Sequence, residues 1–269
     1  MKKILEVKNL RKIFYKRENS SHISGPKQGG VSNRHQTAFT AVNDICFELF
    51  SGECLGLVGE SGCGKSTVAK MLARLLEPDG GEIRLNGRDV SHIKGRACRK
   101  FYADVQMVFQ EPRDSFDPRR TLGDGIMESM RNHGMSKPDA RARMLELLRL
   151  VELEEKIAER YPHQVSGGQC QRAAIARALA IEPQLIICDE ATSALDVTVQ
   201  AQIVKLLKKL QRNTGLSMLF ISHDLALVQE LCDRVLVMYD GSLVEEGAPD
   251  EVIQNPKTEY TRLQVQSAL

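Results

Sequence analysis

Residues 54–76 read Cys54-Leu55-Gly56-Leu57-Val58, then Gly59-Glu60-Ser61-Gly62-Cys63-Gly64-Lys65-Ser66-Thr67, then VAKMLARLL. An apolar strand-like run enters a glycine loop, and the loop opens an apolar helix. That is G-x-x-x-x-G-K-[ST] in the strand–loop–helix setting that gives the pattern its meaning. Glycines let successive backbone N–H groups curl around phosphate oxygens, and the helix start adds the positive end of its dipole. Lys65 is expected to reach the β- and γ-phosphates, and the Ser66 hydroxyl to ligate Mg²⁺. Gly59, Ser61, Gly62, Cys63, Gly64, Lys65, Ser66 and Thr67 are therefore the expected nucleotide-binding loop.

Working outward, Leu185-Ile186-Ile187-Cys188-Asp189-Glu190 is a buried-strand pattern delivering two adjacent carboxylates at its end. Asp189 is placed to hold Mg²⁺ through a water, and Glu190 to polarise an attacking water as general base. Gln110 stands at the end of the strand-like VQMVF (105–109), and His223 follows MLFI (218–221). Each puts a polar side chain at a strand end, where a γ-phosphate would lie. His223 is expected to hydrogen-bond that phosphate; Gln110 is expected to ligate Mg²⁺ and sense the phosphate.

The whole chain has 269 residues, 42% hydrophobic and 27% charged, values ordinary for a globular protein. Net charge is +2, so no strong field argues for nucleic acid. The apolar runs fall far short of the roughly 20 residues that span a bilayer. MKKILEVKNLRKIF lacks the continuous apolar core of a signal peptide, which points to the cytosolic side. The seven cysteines form no CxxC pair, and reduced, mostly buried thiols are expected.

Residues 3–10 alternate like a half-buried strand, and 18–37 read as an exposed, mobile Gly- and Ser-rich loop. Two further strand runs lie at about 38–58. Asn86-Gly87 marks a two-residue hairpin, and Asp240-Gly241 a second one. From about 112 to 165 turn-rich sequence gives way to helix, with Ser136 as cap and Pro138 at the first helical position. Met144, Leu147, Leu148 and Val151 form its apolar face. Beyond, strands and helices alternate, which predicts a parallel sheet with helices on both faces and ligands at the carboxyl ends of its strands.

One stretch remains, Val165-Ser166-Gly167-Gly168-Gln169-Cys170-Gln171-Arg172. Ser166 and Gln169 form a capping box, but the cap needs neither glycine, and each costs a helix about 1 kcal/mol relative to alanine. In order and spacing these pieces resemble the ATP-binding cassette family over nearly the whole chain. VSGGQCQR resembles its signature, Ser193-Ala194-Leu195-Asp196 its D-loop, and Phe14 the aromatic that stacks on adenine, with Tyr15 the alternative.

The resemblance implies an α/β fold: a P-loop NTPase (RecA-like) core with an N-terminal antiparallel β subdomain and an inserted α-helical subdomain. It implies a single domain over 1–269, with catalytic core and β subdomain at 1–110 and 166–245, a helical lobe at about 111–165, and a C-terminal tail at 246–269. ATP and Mg²⁺ are the implied cofactors. Two cassettes would pair head to tail, as a homodimer or heterodimer. Ser166, Gly167, Gly168 and Gln169 would then meet the γ-phosphate held by the other subunit.

Tyr161-Pro162-His163-Gln164, the run from Glu111-Pro112 to Asp117-Pro118-Arg119, and the tail NPKTEYTRLQ narrow the resemblance to oligopeptide, dipeptide and nickel importer ATPases. Thr258-Glu259 stands where that group has His-Pro, and Ala191 where proline follows the glutamate. Many relatives carry a cysteine-rich C-terminal extension; this chain stops before it, and no iron–sulfur cluster is expected. The implied partners are a second ATPase subunit, two membrane permease subunits and, indirectly, an extracytoplasmic substrate-binding protein, with the chain peripheral on the cytoplasmic face of the inner membrane. Two alternatives stay open: a nucleic-acid or translation ATPase built on the same cassette, and an exporter ATPase subunit. Cargo, peptide or metal complex, is not legible here.

Overall fold

The computed structural model describes residues 2–17 and 36–268. The loop expected at 18–37 falls outside the described residues, except that 36 and 37 already belong to a strand. In chain order the first elements are β1 (Lys3–Arg17), β2 (Gln36–Phe50), β3 (Cys54–Val58) and α1 (Lys65–Leu72). Then come β4 (Gly80–Leu85), β5 (Arg88–Asp89), α2 (Arg96–Asp104) and β6 (Val105–Val108). A helical stretch follows with α3 (Leu122–Asn132), α4 (Lys137–Leu150) and α5 (Gly167–Leu179). The chain then alternates through β7 (Leu185–Asp189), α6 (Val197–Thr214), β8 (Ser217–Ile221), α7 (Leu225–Leu231) and β9 (Arg234–Tyr239). It closes with β10 (Ser242–Gly247), α8 (Pro249–Gln254) and α9 (Glu259–Ala268).

Two sheets result. The smaller is antiparallel, in the order β2-β1-β4-β5; the larger has the order β10-β9-β3-β8-β7-β6 and is parallel from β9 to β6. Every residue of β3, β7 and β8 is buried, which is why these segments read as continuous apolar runs rather than alternating ones. Successive side chains feed opposite layers. Cys54, Ile186, Cys188, Met218 and Phe220 join the core shared with the helices. Leu55, Leu57, Leu185, Ile187 and Leu219 join a second core with α1 and the antiparallel sheet.

Both hairpins form as their turn residues require. Asn86 (φ 50°) and Gly87 (φ 77°) join β4 to β5, and Asp240 (φ 42°) and Gly241 (φ 77°) join β9 to β10, each with two left-handed residues. The alternation read at residues 3–10 holds from Leu5 to Lys8 and is interrupted on either side. β1 shifts register against β2 between Lys3 and Leu5 and again between Val7 and Leu10, around Asn9 at φ 49°, and Ile4, Leu5, Val7 and Leu10 are all buried. The strand leading to Gln110 ends at Val108, two residues earlier than its sequence indicates. Pro138 occupies the second helical position of α4, because Lys137 already lies in the helix capped by Ser136.

The signature helix α5 ties the helical layer to the segment after Gln110. Arg177 donates to the Ser115 carbonyl, and its guanidinium lies 5.6 Å from the Phe116 ring centroid. Burial pushes the Arg177 pKa below its ordinary value, although it stays a cation. Arg113 reaches the other way, to the Val165 carbonyl at 3.3 Å. No described helix is long and apolar enough to cross a membrane.

Candidate active site

The glycine loop leaves β3 at the carboxyl edge of the parallel sheet and turns into α1. Gly64, at φ 111°, is the residue before the helix; a Cβ there would come within 2.2 Å of the Ala41 carbonyl, so both conformation and space demand glycine. No side chain caps α1, which leaves its first-turn N–H groups aimed outward as an anion cradle. Lys65 is 4% exposed, and its ammonium donates to the carbonyls of Gly59 (2.6 Å) and Glu60 (2.7 Å). Its other partner is the Cys63 sulfur at 3.8 Å; this buried ammonium has no carboxylate partner among the described residues, and a phosphate on the cradle would supply the counter-charge.

Across the sheet, Ser66 Oγ donates to Asp189 Oδ1 at 2.9 Å. Burial raises the Asp189 pKa, the Ser66 bond opposes that, and neighbouring Glu190 adds to the rise. A hydroxyl and a carboxylate held together beside phosphate-binding N–H groups form a hard-oxygen donor set suited to Mg²⁺. Among the described residues no group of three or more His, Cys, Asp or Glu side chains is placed to hold a metal ion.

Glu190 follows directly and takes φ 48°, a left-handed conformation rare for a residue with a side chain. Its N–H donates to the Ile221 carbonyl (3.1 Å), while its own carbonyl accepts from the Ser193 N–H (3.1 Å) and hydroxyl (3.0 Å). These three bonds hold the turn that presents the carboxylate. His223 is exposed just past β8, and Gln110 is exposed past β6.

The sheet order decides how these groups stand. Along one edge run the glycine loop after β3, His223 after β8, Asp189 and Glu190 at the end of β7, and Gln110 after β6. With strands about 4.8 Å apart, this row covers about 15 Å. The structure thus assembles the polar residues found in four separate stretches into one line. Phe14 and Tyr15 lie on β1, 42% and 64% exposed, and only Phe14 carries an ammonium over its ring, Lys12 at 5.7 Å.

Ser166 opens α5 with both capping-box bonds, Gln169 N–H to Ser166 Oγ (3.2 Å) and Ser166 N–H to Gln169 Oε1 (3.0 Å). The glycines also have a reason inside the chain. A Cβ on Gly167 would lie 3.1 Å from Leu195 Cδ2, and one on Gly168 would lie 2.6 Å from Val199 Cγ1. The start of α5 is therefore packed against the segment entering α6, where Asp196 caps the helix by accepting the Val199 N–H at 3.0 Å. Sequence reading missed this packing, because nothing local links residues 167 and 199. It also missed Tyr260, whose hydroxyl accepts the Glu60 N–H at 2.9 Å.

Burial pushes Cys63 above its ordinary value despite the adjacent Lys65 ammonium, and Cys170 and Cys188 rise to about 11 and about 12. All seven cysteines are free, five of them buried, with Cys46 exposed and Cys98 intermediate.

Fold and site together define a P-loop nucleotide-binding protein with its polar residues at the carboxyl edge of a parallel sheet. The ABC transporter family profile matches residues 42–193. The chain is 44% identical to the oligopeptide transport ATP-binding protein OppF of Salmonella typhimurium, over 97% of this chain and 76% of that protein. It is 45% identical to the glutathione import ATP-binding protein GsiA of Pectobacterium atrosepticum, over 96% of this chain but only 40% of that longer protein. Among solved structures, the ATP-binding cassette MJ0796, a dimer bound to ADP and Pi, superposes with a TM-score of 0.76 at 29% identity, covering 91% of this chain and 98% of that one. The chain belongs to the ABC transporter family, as an ATP-binding cassette.

Proposed function

We propose that this chain binds and hydrolyses ATP to energise an importer whose permease is a separate membrane protein. The observation that carries this reading is the row of P-loop, His223, Asp189, Glu190 and Gln110 along one sheet edge, in a chain 44% identical to an oligopeptide transport ATPase over nearly its whole length. Peptides are the cargo class favoured by the relatives; nickel or another metal complex is the second. The domain division follows the expectation above: one ATPase domain over 1–269, with the lobe at about 111–165 facing the permease.

Lys65 and the first-turn N–H groups of α1 grip the β- and γ-phosphates, and Phe14 stacks on adenine. Mg²⁺, held by Ser66, Gln110 and, through water, Asp189, supplies positive charge to the phosphates when bound. Glu190 takes a proton from the attacking water, and His223 hydrogen-bonds the γ-phosphate as it leaves. Ser166, Gly167, Gly168 and Gln169 meet the γ-phosphate of a second cassette, so each site needs two chains. Val197, 80% exposed beside that surface, belongs to the face turned toward the second cassette. The chain sits peripherally on the cytoplasmic face of the membrane.

The test is co-purification with the permease encoded alongside, followed by ATPase assay in proteoliposomes. Stimulation by peptide-loaded binding protein is expected. Salt-sensitive binding to DNA or ribosomes with no membrane partner would overturn the importer reading, and substrate efflux independent of a binding protein would replace it with export. The two-chain site has its own test in dimers of two copies. A Lys65→Ala chain paired with a Ser166→Ala chain retains one intact site if signatures act across the interface, and none if they act within a chain.

A further inference from the structure

We infer that Tyr260 is a positioning residue for the phosphate loop, so that the C-terminal helix α9 sets nucleotide affinity through it. The inference rests on the P-loop being the ATP site, and it concerns a segment 200 residues away in the chain from the loop it touches.

Glu60 is held through both of its backbone polar groups. Its N–H donates to Tyr260 Oη at 2.9 Å, and its carbonyl accepts from Lys65 Nζ at 2.7 Å. The Glu60 side chain, although the residue is exposed, accepts from Gln264 Nε2 at 2.8 Å, one helical turn beyond Tyr260 on α9. Four hydrogen bonds therefore fix Glu60, because its carbonyl also accepts the Cys63 N–H at 3.3 Å. Two of them come from the tail.

Tyr260 in turn is placed by contacts that do not involve the loop. Its ring lies 4.3 Å, centroid to centroid, from Tyr239, the last residue of β9, the neighbour of β3. The segment entering α9 is anchored on the buried Glu245 carboxylate, which accepts the N–H groups of Lys257 (2.9 Å) and Thr258 (3.2 Å). Thr258 and Thr261 hydroxyls lie 2.8 Å apart, and Thr261 and Val265 are buried. Because Glu245 and Tyr239 belong to the sheet, the tyrosine hydroxyl is presented at a fixed point. Tyr260 reaches the Glu60 N–H and Lys65 the Glu60 carbonyl, so the tyrosine acts on the site through the loop backbone.

Tyr260→Phe retains the ring and its stack on Tyr239 and removes only the acceptor. MgATP binding to the purified chain, read by displacement of a fluorescent ATP analogue, is expected to weaken about three- to tenfold, the worth of one hydrogen bond. In the assembled transporter the KM for ATP rises with it, while kcat falls less than about twofold, the pattern of lost ground-state binding. Gln264→Ala, which leaves the tyrosine in place, gives a smaller rise in the same direction. Unchanged MgATP affinity in Tyr260→Phe overturns the inference. So does an affinity loss matched by a fall in the nucleotide-free melting temperature, which would mark general destabilisation. Failure of the unsubstituted chain to bind MgATP sinks the P-loop reading itself; binding by the unsubstituted chain with no effect of Tyr260→Phe sinks this inference alone.

Discussion

Ser66 Oγ and Asp189 Oδ1 meet at 2.9 Å although 123 residues separate them. The contact joins the first turn of α1 to the end of β7 and brings together two oxygen ligands of the kind Mg²⁺ takes.

Replacing Ser66 by Ala removes one oxygen and leaves the glycine loop and Lys65 in place. MgATP hydrolysis in the assembled transporter is expected to fall at least about tenfold, and ATP binding in EDTA to change little. Titration of Mg²⁺ at fixed ATP, with and without the substitution, reads the difference directly. Equal loss of binding in both conditions would mean that Ser66 supports the fold of the loop and not the metal.

Glu190→Gln retains the shape of the strained turn, whose bonds to Ile221 and Ser193 run through backbone groups. Turnover should drop by about 10²–10⁴-fold while MgATP binding persists, the cost of losing a general base. Hydrolysis within a factor of a few of the unsubstituted complex would remove Glu190 from that role.

The glycines of the signature make a prediction with two readouts. Gly168→Ala drives a methyl group to 2.6 Å from Val199 Cγ1 and should destabilise the chain by roughly 1–3 kcal/mol, the usual cost of overpacking. Adding Val199→Ala opens that space, so the double variant recovers most of the melting temperature. If Gly168 also approaches a phosphate on a second cassette, ATPase activity does not recover with it. Joint recovery of stability and activity would confine this glycine to packing inside one chain.

Glu245 gives a dependence on pH. Burial pushes its pKa up, but hydrogen bonds from Thr261 and from the Lys257 and Thr258 N–H groups outweigh burial and hold it below the ordinary glutamate value. A group whose pKa falls on folding stabilises fully above its unfolded value, and that stability is lost as pH drops through the folded value. Tail docking is therefore firm at neutral pH and weakens in acid, below the ordinary range of a glutamate. Glu245→Gln should loosen residues 255–268 at neutral pH, at a cost of about 1–3 kcal/mol. Hydrogen exchange in α9 measures it; unaltered protection at pH 7 would refute the anchor.

How much of this was legible in the sequence depended on range. The strand–glycine loop–helix turn at 54–72, the capping box at Ser166 and Gln169, and both hairpins are read correctly because each is decided by residues within a few positions of one another. The helix α3 escapes such reading: it contains Gly123 and Gly125, and only the close approach of Ala158 and of the Phe116 ring explains them. The short, charged α2 was not anticipated either, since it buries only Phe101. The bulge at Asn9 hides the true burial of β1. Within the site, residue types and strand ends were legible, whereas the packing of Gly168 on Val199 and the bond from Glu60 to Tyr260 come from tertiary contacts that no local pattern announces.

The order of the parallel sheet also governs how the protein comes into being. β8 lies between β3 and β7, yet the ribosome makes it after both. Without Ser217–Ile221 the strand bearing the phosphate loop has no backbone ladder to the strand bearing Asp189. A chain ending before residue 217 would hold every residue of the loop and both carboxylates but lack the strand that lies between them. β8, the last made of the three, carries the ladder bonds that join the other two, and His223 behind it completes the row along the sheet edge.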